Sequence, residues 1–294
     1  MAINAGYMGL AEIAGAGKLR FQDASISAKQ EVQAPDLVMG DWDHDSFWYG
    51  PITIDGSMSG PVDEEFASQI LTWAIHRGEC GILDQQPLDL WYYCGANDDS
   101  TLYSHVQFPK ILANSISVNA TAGDVANYSI DFIGSGDGDN VPTYDDVAVT
   151  PLTETRKLVT WEKLGVTLVG NDGVVFAPTP LISAFEFTVA NNVTAVYSMG
   201  QTNLWPAALI PGIRTITGSI TVYNMPQDAN SVPESWDDYT SAGTGTVTFT
   251  IGAMTVEVLC RWHRLNPTSN PGPITSTIAF TGIGHQSNPS SLWG

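Results

Sequence analysis

Ala24–Val62 runs ASISAKQEVQAPDLVMG, then a Trp-bearing loop, then GPITIDGSMSGPV; Ala184–Asn224 runs AFEFTVANNVTAVYSMG, a second Trp-bearing loop, and GIRTITGSITVYN. Each stretch is an alternating strand, a Met-Gly step (Met39-Gly40, Met199-Gly200), a loop, and a second alternating strand with a central Gly-Ser. A later pair matches as well, YSIDFIG at Tyr128–Gly134 and STIAFTG at Ser276–Gly282. The chain therefore reads as two copies of one β-rich unit. Chains that carry a folding unit twice are often built to complete a ring.

Side chains alternate across a strand, so each strand can be read face by face. In the first copy Ile26, Ala28, Val32 and Ala34 oppose Ser25, Ser27, Lys29, Glu31 and Gln33, and Ile52, Ile54 and Met58 oppose Thr53, Asp55, Ser57 and Ser59. In the second, Phe187, Val189, Val193 and Ala195 oppose Glu186, Thr188, Asn192 and Thr194, and Ile216, Ile220 and Val222 oppose Thr215, Thr217, Ser219 and Thr221. A half-apolar, half-hydroxyl strand belongs to a sheet with one packed and one wet face. The one amphipathic helix predicted is Val62–Gly78, VDEEFASQILTWAIHRG, with acids in its first turn and Phe66, Ile70, Trp73 and Ala74 at helical spacing. Its counterpart in the second copy is short or degenerate, at Pro233–Tyr239.

The fold class expected is mainly β, with two tandem, duplicated β-sandwich or barrel-like domains, each with a helix on its sheet. The boundaries read as an N-terminal Gly/Ala-rich arm at 1–17, a first domain at 18–136, a linker at 137–180 with a hairpin turn at Asn171-Asp172-Gly173, a second domain at 181–284, and a tail at 285–294.

Composition narrows the function. The 294 residues carry 31 acidic and 11 basic side chains, a formal charge of −20. Nucleic-acid grip depends on Lys and Arg displacing counterions from phosphates, so this balance argues against it, though not against a surface that DNA passes without sticking. No apolar run is long enough to span a membrane and no basic leader precedes an apolar region, so neither a membrane anchor nor a secretory signal is expected. Cys80, Cys94 and Cys260 are too few for a disulfide framework and read as reduced.

Motifs for chemistry fail on inspection. Asp41-Trp42-Asp43-His44-Asp45 resembles a calcium loop, but Ser46 and Ile52 stand where Gly and Glu are needed. GSMSG at Gly56–Gly60 has Met58 in place of a nucleophilic Ser. Asp137 and Asp139 lie in Gly-rich sequence, and His44, His76, His105, His263 and His285 have no metal-site spacing. No catalytic residue, metal site or cofactor is expected. Trp42 and Trp48 in one inter-strand loop and Trp205 in its counterpart are amphipathic rings suited to inter-ring or inter-subunit contact. Sugar stacking is the competing use, which leaves a carbohydrate-binding β-sandwich open.

The strand, Trp loop, strand, helix unit resembles the tube domain of long-tailed bacteriophages, and the whole chain resembles a major tail tube protein carrying that domain twice. The resemblance spans 24–136 and 184–284. It implies a structural virion protein of the tail, made in the bacterial cytoplasm and not an enzyme. It also implies stacked trimeric, pseudo-six-fold rings around a negatively charged lumen through which phage DNA would pass. It implies channel-lining roles for Ser25, Ser27, Lys29, Glu31, Thr53, Asp55, Ser57, Ser59, Glu186, Thr188, Asn192, Thr194, Thr215, Thr217, Ser219 and Thr221. Lys29 is the exception on that face, with Glu31 or Asp55 expected to neutralise it. The implied partners are other copies of the chain, a tape measure, a baseplate or tip, a terminator and, in contractile tails, a sheath. A baseplate hub or terminator ring is the alternative within the same class. The arm, the Trp loops and the segment Val147–Pro180 are the expected ring-to-ring contacts.

Overall fold

Strands that alternate apolar and hydroxyl residues satisfy both faces only when one is packed and the other meets solvent. The computed structural model has this arrangement. It describes residues 9–14, 16–33, 48–64, 66–75, 85–93, 102–136, 142–148, 157–170, 181–200, 203–223, 244–263, 266–268 and 275–283. The first part of the chain forms β1 (Gly9–Ile13), β2 (Gly17–Phe21), β3 (Asp23–Gln33), β4 (Trp48–Pro61), β5 (Gln86–Tyr93), β6 (Leu102–Thr121), β7 (Asn127–Ser135) and β8 (Thr143–Ala148). The second forms β9 (Leu164–Val169), β10 (Leu181–Ala190), β11 (Thr194–Val196), β12 (Ala208–Ile210), β13 (Thr215–Tyr223), β14 (Gly245–Ile251), β15 (Met254–Trp262), β16 (Asn266–Thr268) and β17 (Thr275–Gly282). The protein is mainly β, as its alternation predicts. One 15-stranded sheet holds every strand except β11 and β12, which make a separate two-stranded ribbon.

The pairing order is the same in the two halves. Outward from β3 the sheet runs β4, β7, β6, β5, β1; outward from β10 it runs β13, β17, β15, β14, β9. All of these pairs are antiparallel. The halves join edge to edge where the C-terminal part of β6 pairs with β10, from Thr121↔Ala184 to Ser115↔Ala190. β6 can serve both units because it is 20 residues long and changes neighbours along its length. Its first part lies between β5 and β8, and its last between β7 and β10.

The Gly-Ser step in β4 and β13 has a steric cause. A Cβ on Gly56 would sit 2.0 Å from the Ser25 carbonyl oxygen, and one on Gly218 would sit 2.6 Å from that of Glu186. Ser25 and Glu186 hold corresponding places in the preceding strand, opposite Ser57 and Ser219. A second glycine pair behaves alike, since a Cβ on Gly134 or Gly282 would press on the Cβ of Ile54 or Ile216.

The apolar faces of the strands meet in a continuous core that includes Ile54, Met58, Tyr128, Ile130 and Phe132 from the first half and Phe187, Val189, Ile220, Phe249 and Phe280 from the second. Phe249 stacks on Phe187 at 4.8 Å between ring centroids, and Phe66 on Tyr128 at 4.4 Å. The Tyr128 hydroxyl donates to the Arg20 carbonyl, and burial raises its pKa far above the ordinary range. The helix, here called α1, is shorter than the 62–78 span predicted. It consists of a π-helical turn, Phe66–Ile70, followed by the α-helical turn Leu71–Ile75. Val62 and Asp63 lie before it because they are used otherwise. Val62 exchanges backbone bonds with Ala126 and Val159, and the buried Asp63 caps the helix by accepting the Phe66 amide at 2.7 Å. Phe66, Ile70 and Ala74 are buried as their spacing predicts, with Trp73 packed against the core.

The arm, read as without periodicity, carries a strand, and the linker holds β9 within the stretch expected to form strands of its own. Ala11 and Ile13 of β1 are buried where β1 pairs with β5, and β9 pairs with β14. The turn at Asn171-Asp172-Gly173 and the Pro233–Tyr239 helix lie outside the described residues.

Candidate functional site: a polar face across eight strands

The face opposite the core is continuous across β3, β4, β7, β6, β10, β13, β17 and β15, four strands from each half. Its register can be followed row by row. Ser25 lies opposite Ser57, Ser57 opposite Asp131, Asp131 opposite Ser115, and Ser115 opposite Ala190. A second row runs Ser59, Ser129, Ser117, Thr188, Thr217, Thr281 and Arg261. A third brings together Asn127, Asn119, Glu186, Ser219 and Ala279.

Most of the predicted residues share this face: Ser25, Ser27 and Lys29 on β3; Thr53, Asp55, Ser57 and Ser59 on β4; Glu186 and Thr188 on β10; and Thr215, Thr217, Ser219 and Thr221 on β13. Glu31 belongs to β3, but its side chain lies outside the described residues. Asn192 and Thr194 do not continue the strand, because β10 ends at Ala190. Asn192 turns the corner at φ 52° and donates to the Ile213 carbonyl, and Thr194 begins the β11–β12 ribbon. Reading the faces of two strands per copy missed the other half of the surface. Ser115, Ser117 and Asn119 on β6, Asn127, Ser129 and Asp131 on β7, and Thr277 and Thr281 on β17 belong to it as well. The same alternation in YSIDFIG and STIAFTG carries the signal for β7 and β17.

The electrostatics follow from the rows. Asp55, Asp131 and Glu186 face solvent, and Lys29 meets Asp55 with Nζ 2.8 Å from Oδ1. Asp55, one of the two acids expected beside Lys29, is its partner. Both groups are largely exposed, so the pair contributes at most about 1 kcal/mol, and its main effect is to cancel one cation on a largely acidic and hydroxyl surface that also carries the exposed Arg261 on β15. Ser115 donates to Asp131 at 2.5 Å and His263 shares a hydrogen with Thr281 at 2.7 Å, which ties these side chains to the sheet.

At one end of this face residues 191–200 and 203–214 fold back over the first half. The Ile52 amide donates to the Leu204 carbonyl, the Tyr197 hydroxyl donates to the Ile52 carbonyl, and Trp205 is buried against Gly136. Trp205 thus packs within its own chain. The exposed apolar residues of the segment are Val196, Tyr197, Met199, Leu204, Ile210 and Ile213, with Met199 fully exposed. The Trp42 and Trp48 side chains lie outside the described residues. A buried polar corner fastens the segment. Asn191 donates to the carbonyls of Ala74 and Ala113, while Arg214 donates to the Asn191 side chain and to the Ile75 carbonyl at the end of α1. Sequence reading missed both residues, since a lone Asn and a lone Arg beside a strand carry no pattern.

Among the described residues no three His, Cys, Asp or Glu side chains gather as metal ligands, and no helix is long and apolar enough to cross a membrane. Cys260 is buried and free, its thiol pushed up to about 12 by desolvation, so it is poorly suited to nucleophilic work. The Asp41–Asp45 run, Cys80, Cys94, His44, His76 and His285 lie outside the described residues.

A broad polar face backed by a continuous apolar core suits a structural protein that presents a surface. The chain belongs to the family of phage tail tube proteins, whose family model, described as phage tail tube protein, matches residues 81–282. The match takes in β5 to β17 and so includes the β6·β10 seam. No curated protein matches the chain. Family membership makes it a structural protein of the virion tail, in a family that is typically non-enzymatic, and implies self-assembly and contact with other tail components.

Proposed function

We propose that the chain is a tail tube subunit in which one gene supplies the tube domain twice. Three copies form a pseudo-six-fold ring, and rings stack around a lumen lined by the polar face. The observation that carries this reading is the matching strand order, β3-β4-β7-β6 beside β10-β13-β17-β15, joined edge to edge inside one chain. Each half then contributes four strands to the lumen wall, and closing such a wall removes sheet edges that would otherwise template aggregation. Phosphates sliding past Ser, Thr, Asn, Asp55, Asp131 and Glu186 meet mostly short acceptors and acids, while Lys29 is held by Asp55 and Arg261 on β15 is an exposed cation left on the face. Contacts between rings are heterologous and repeat without closing, and the exposed side chains of Met199, Ile210 and Ile213 suit them better than Trp205, which is buried.

Electron microscopy of the purified protein at rising concentration tests the reading: hollow stacked rings with three-fold symmetry are expected, and a monodisperse monomer would sink it. Glu186→Lys with Asp131→Lys should leave ring assembly intact and lower the yield of phage that deliver DNA, because neither side chain enters the core. Loss of folding in that variant would mean the face is misassigned.

A further inference from the structure

An indole ring left at a surface is suited to a partner that can use both its flat apolar face and its polar N–H edge. Of the tryptophans whose side chains are described, Trp205 and Trp262 are buried and Trp73 packs against the core, so Trp161 alone is exposed, at 50%. It stands beside a groove of about 270 Å³ at the place where the β6·β10 seam ends. The short side chains of Ala120 and Ala184 line this groove together with Ile182, and so do Trp161, Glu162 and Thr121. Those last three are exposed.

Backbone bonds hold the walls. The Trp161 amide donates to the Asp124 carbonyl at 3.0 Å and the Ala122 amide to the Ser183 carbonyl at 2.7 Å, while the Ser183 hydroxyl donates to the Thr221 carbonyl at 3.1 Å. The shape therefore exists before a ligand arrives, which keeps the ordering cost of binding low. Lys163 is committed to Glu64, and among the described residues the Glu162 carboxylate has no ion pair or hydrogen bond. An aromatic ring, an uncommitted carboxylate and a hydroxyl thus surround a lining of small and apolar side chains.

We propose that this groove binds a neutral hexose unit of a glycan. A hexose has an apolar C–H face that can lie on an indole ring, and a rim of hydroxyls that can donate to Glu162 and exchange hydrogen bonds with Thr121. The volume is below the roughly 300–1,000 Å³ of sites for drug-sized ligands, which suits one sugar ring rather than a larger group. Acidic and phosphorylated sugars fit poorly, because Glu162 and a chain charge of −20 repel anions. The groove lies outside the polar face and its lining comes from one chain, so the proposal goes beyond the tail tube reading and stands or falls separately from it.

Saturation-transfer NMR on the purified full-length protein tests this with maltose, cellobiose and lactose, and with methylammonium as a cation probe. At least one disaccharide should receive saturation, most strongly at its C–H protons. Trp161→Ala should weaken that binding at least tenfold, Trp161→Phe should retain most of it, and Glu162→Gln should weaken it about fivefold, as expected for one hydrogen bond. Transfer to none of the disaccharides, equal transfer in Trp161→Ala, or transfer to methylammonium alone would each overturn the proposal. Glu162→Gln carries the test if Trp161→Ala does not fold. Ring formation seen by microscopy should be the same in all of these variants, so failure to bind sugar leaves the tube reading untouched.

Discussion

Individual residues explain why the two alternating strands can lie as close as they do. Gly56 adopts φ 154° and would bring a Cβ to 2.0 Å from the Ser25 oxygen, whereas the Cβ space at Gly165 is met only by Thr250 side-chain atoms at 3.4 Å and beyond. Gly56→Ala should therefore lower stability by about 1–3 kcal/mol and Gly165→Ala by well under half of that, read from urea unfolding midpoints. Equal effects would mean the close approach is not what selects glycine. A second residue-level prediction concerns acid. Glu64 is held below the ordinary carboxylate value of 4.5, chiefly by the hydrogen bond from Lys163, opposed by a smaller desolvation effect. A depressed folded pKa gives stability that is present above the unfolded value and is lost as pH falls through the folded one. Glu64→Gln should thus lower the melting temperature slightly at neutral and alkaline pH, where the ion pair contributes, and flatten its decline as pH falls below 4.5, so that the two proteins converge in acid, measured as melting temperature against pH.

At the scale of elements, α1 shows why local pattern and observed helix differ in length. The apolar spacing over Phe66, Ile70 and Ala74 selects the buried stripe, but the start is set by Asp63, whose buried carboxylate holds the Phe66 amide, and by Val62, which bonds to strand backbone instead. Asp63→Ala should cost about 0.5–2 kcal/mol, the usual range for losing a helix cap, while Asp63→Asn retains most of it. Thermal unfolding of the three proteins checks the order wild type, Asn, Ala. β6 makes the complementary point for strands. Its alternation was readable from the residues, but only the partners across the sheet reveal that its first part belongs to β5 and β8 and its last to the seam with β10.

For the whole molecule, the decisive property is that the halves are one sheet. The β6·β10 pairing and the bonds of Tyr197 and Leu204 to Ile52 bind them, as does the Asn191–Arg214 corner on the end of α1. Near-UV and far-UV circular dichroism should consequently report one coincident thermal transition. Two separated transitions would show that each half unfolds by itself and that these contacts contribute little.

Alternation of hydroxyl and apolar residues was enough to determine that the protein is mainly β and that its strands have a packed and a wet face, with Ser25, Ser27, Ser57, Thr188 and Thr217 among the side chains placed on the wet one. That information is local, because side-chain direction has a period of two along any strand. The Gly-Ser steps and the paired sequences 128–134 and 276–282 fall on strands that hold matching places in the pairing order, β4 with β13 and β7 with β17. What local pattern could not carry was every quantity that depends on a partner distant in sequence. The union of the halves through β6 and β10 is of this kind, and so is the turn of Asn192 and Thr194 away from the face. The inward packing of Trp205 and the use of Asn191 and Arg214 as a buried corner are two more. Each of these was decided by tertiary contact, where burial and backbone hydrogen bonding across the chain outweigh the preference of the residue alone.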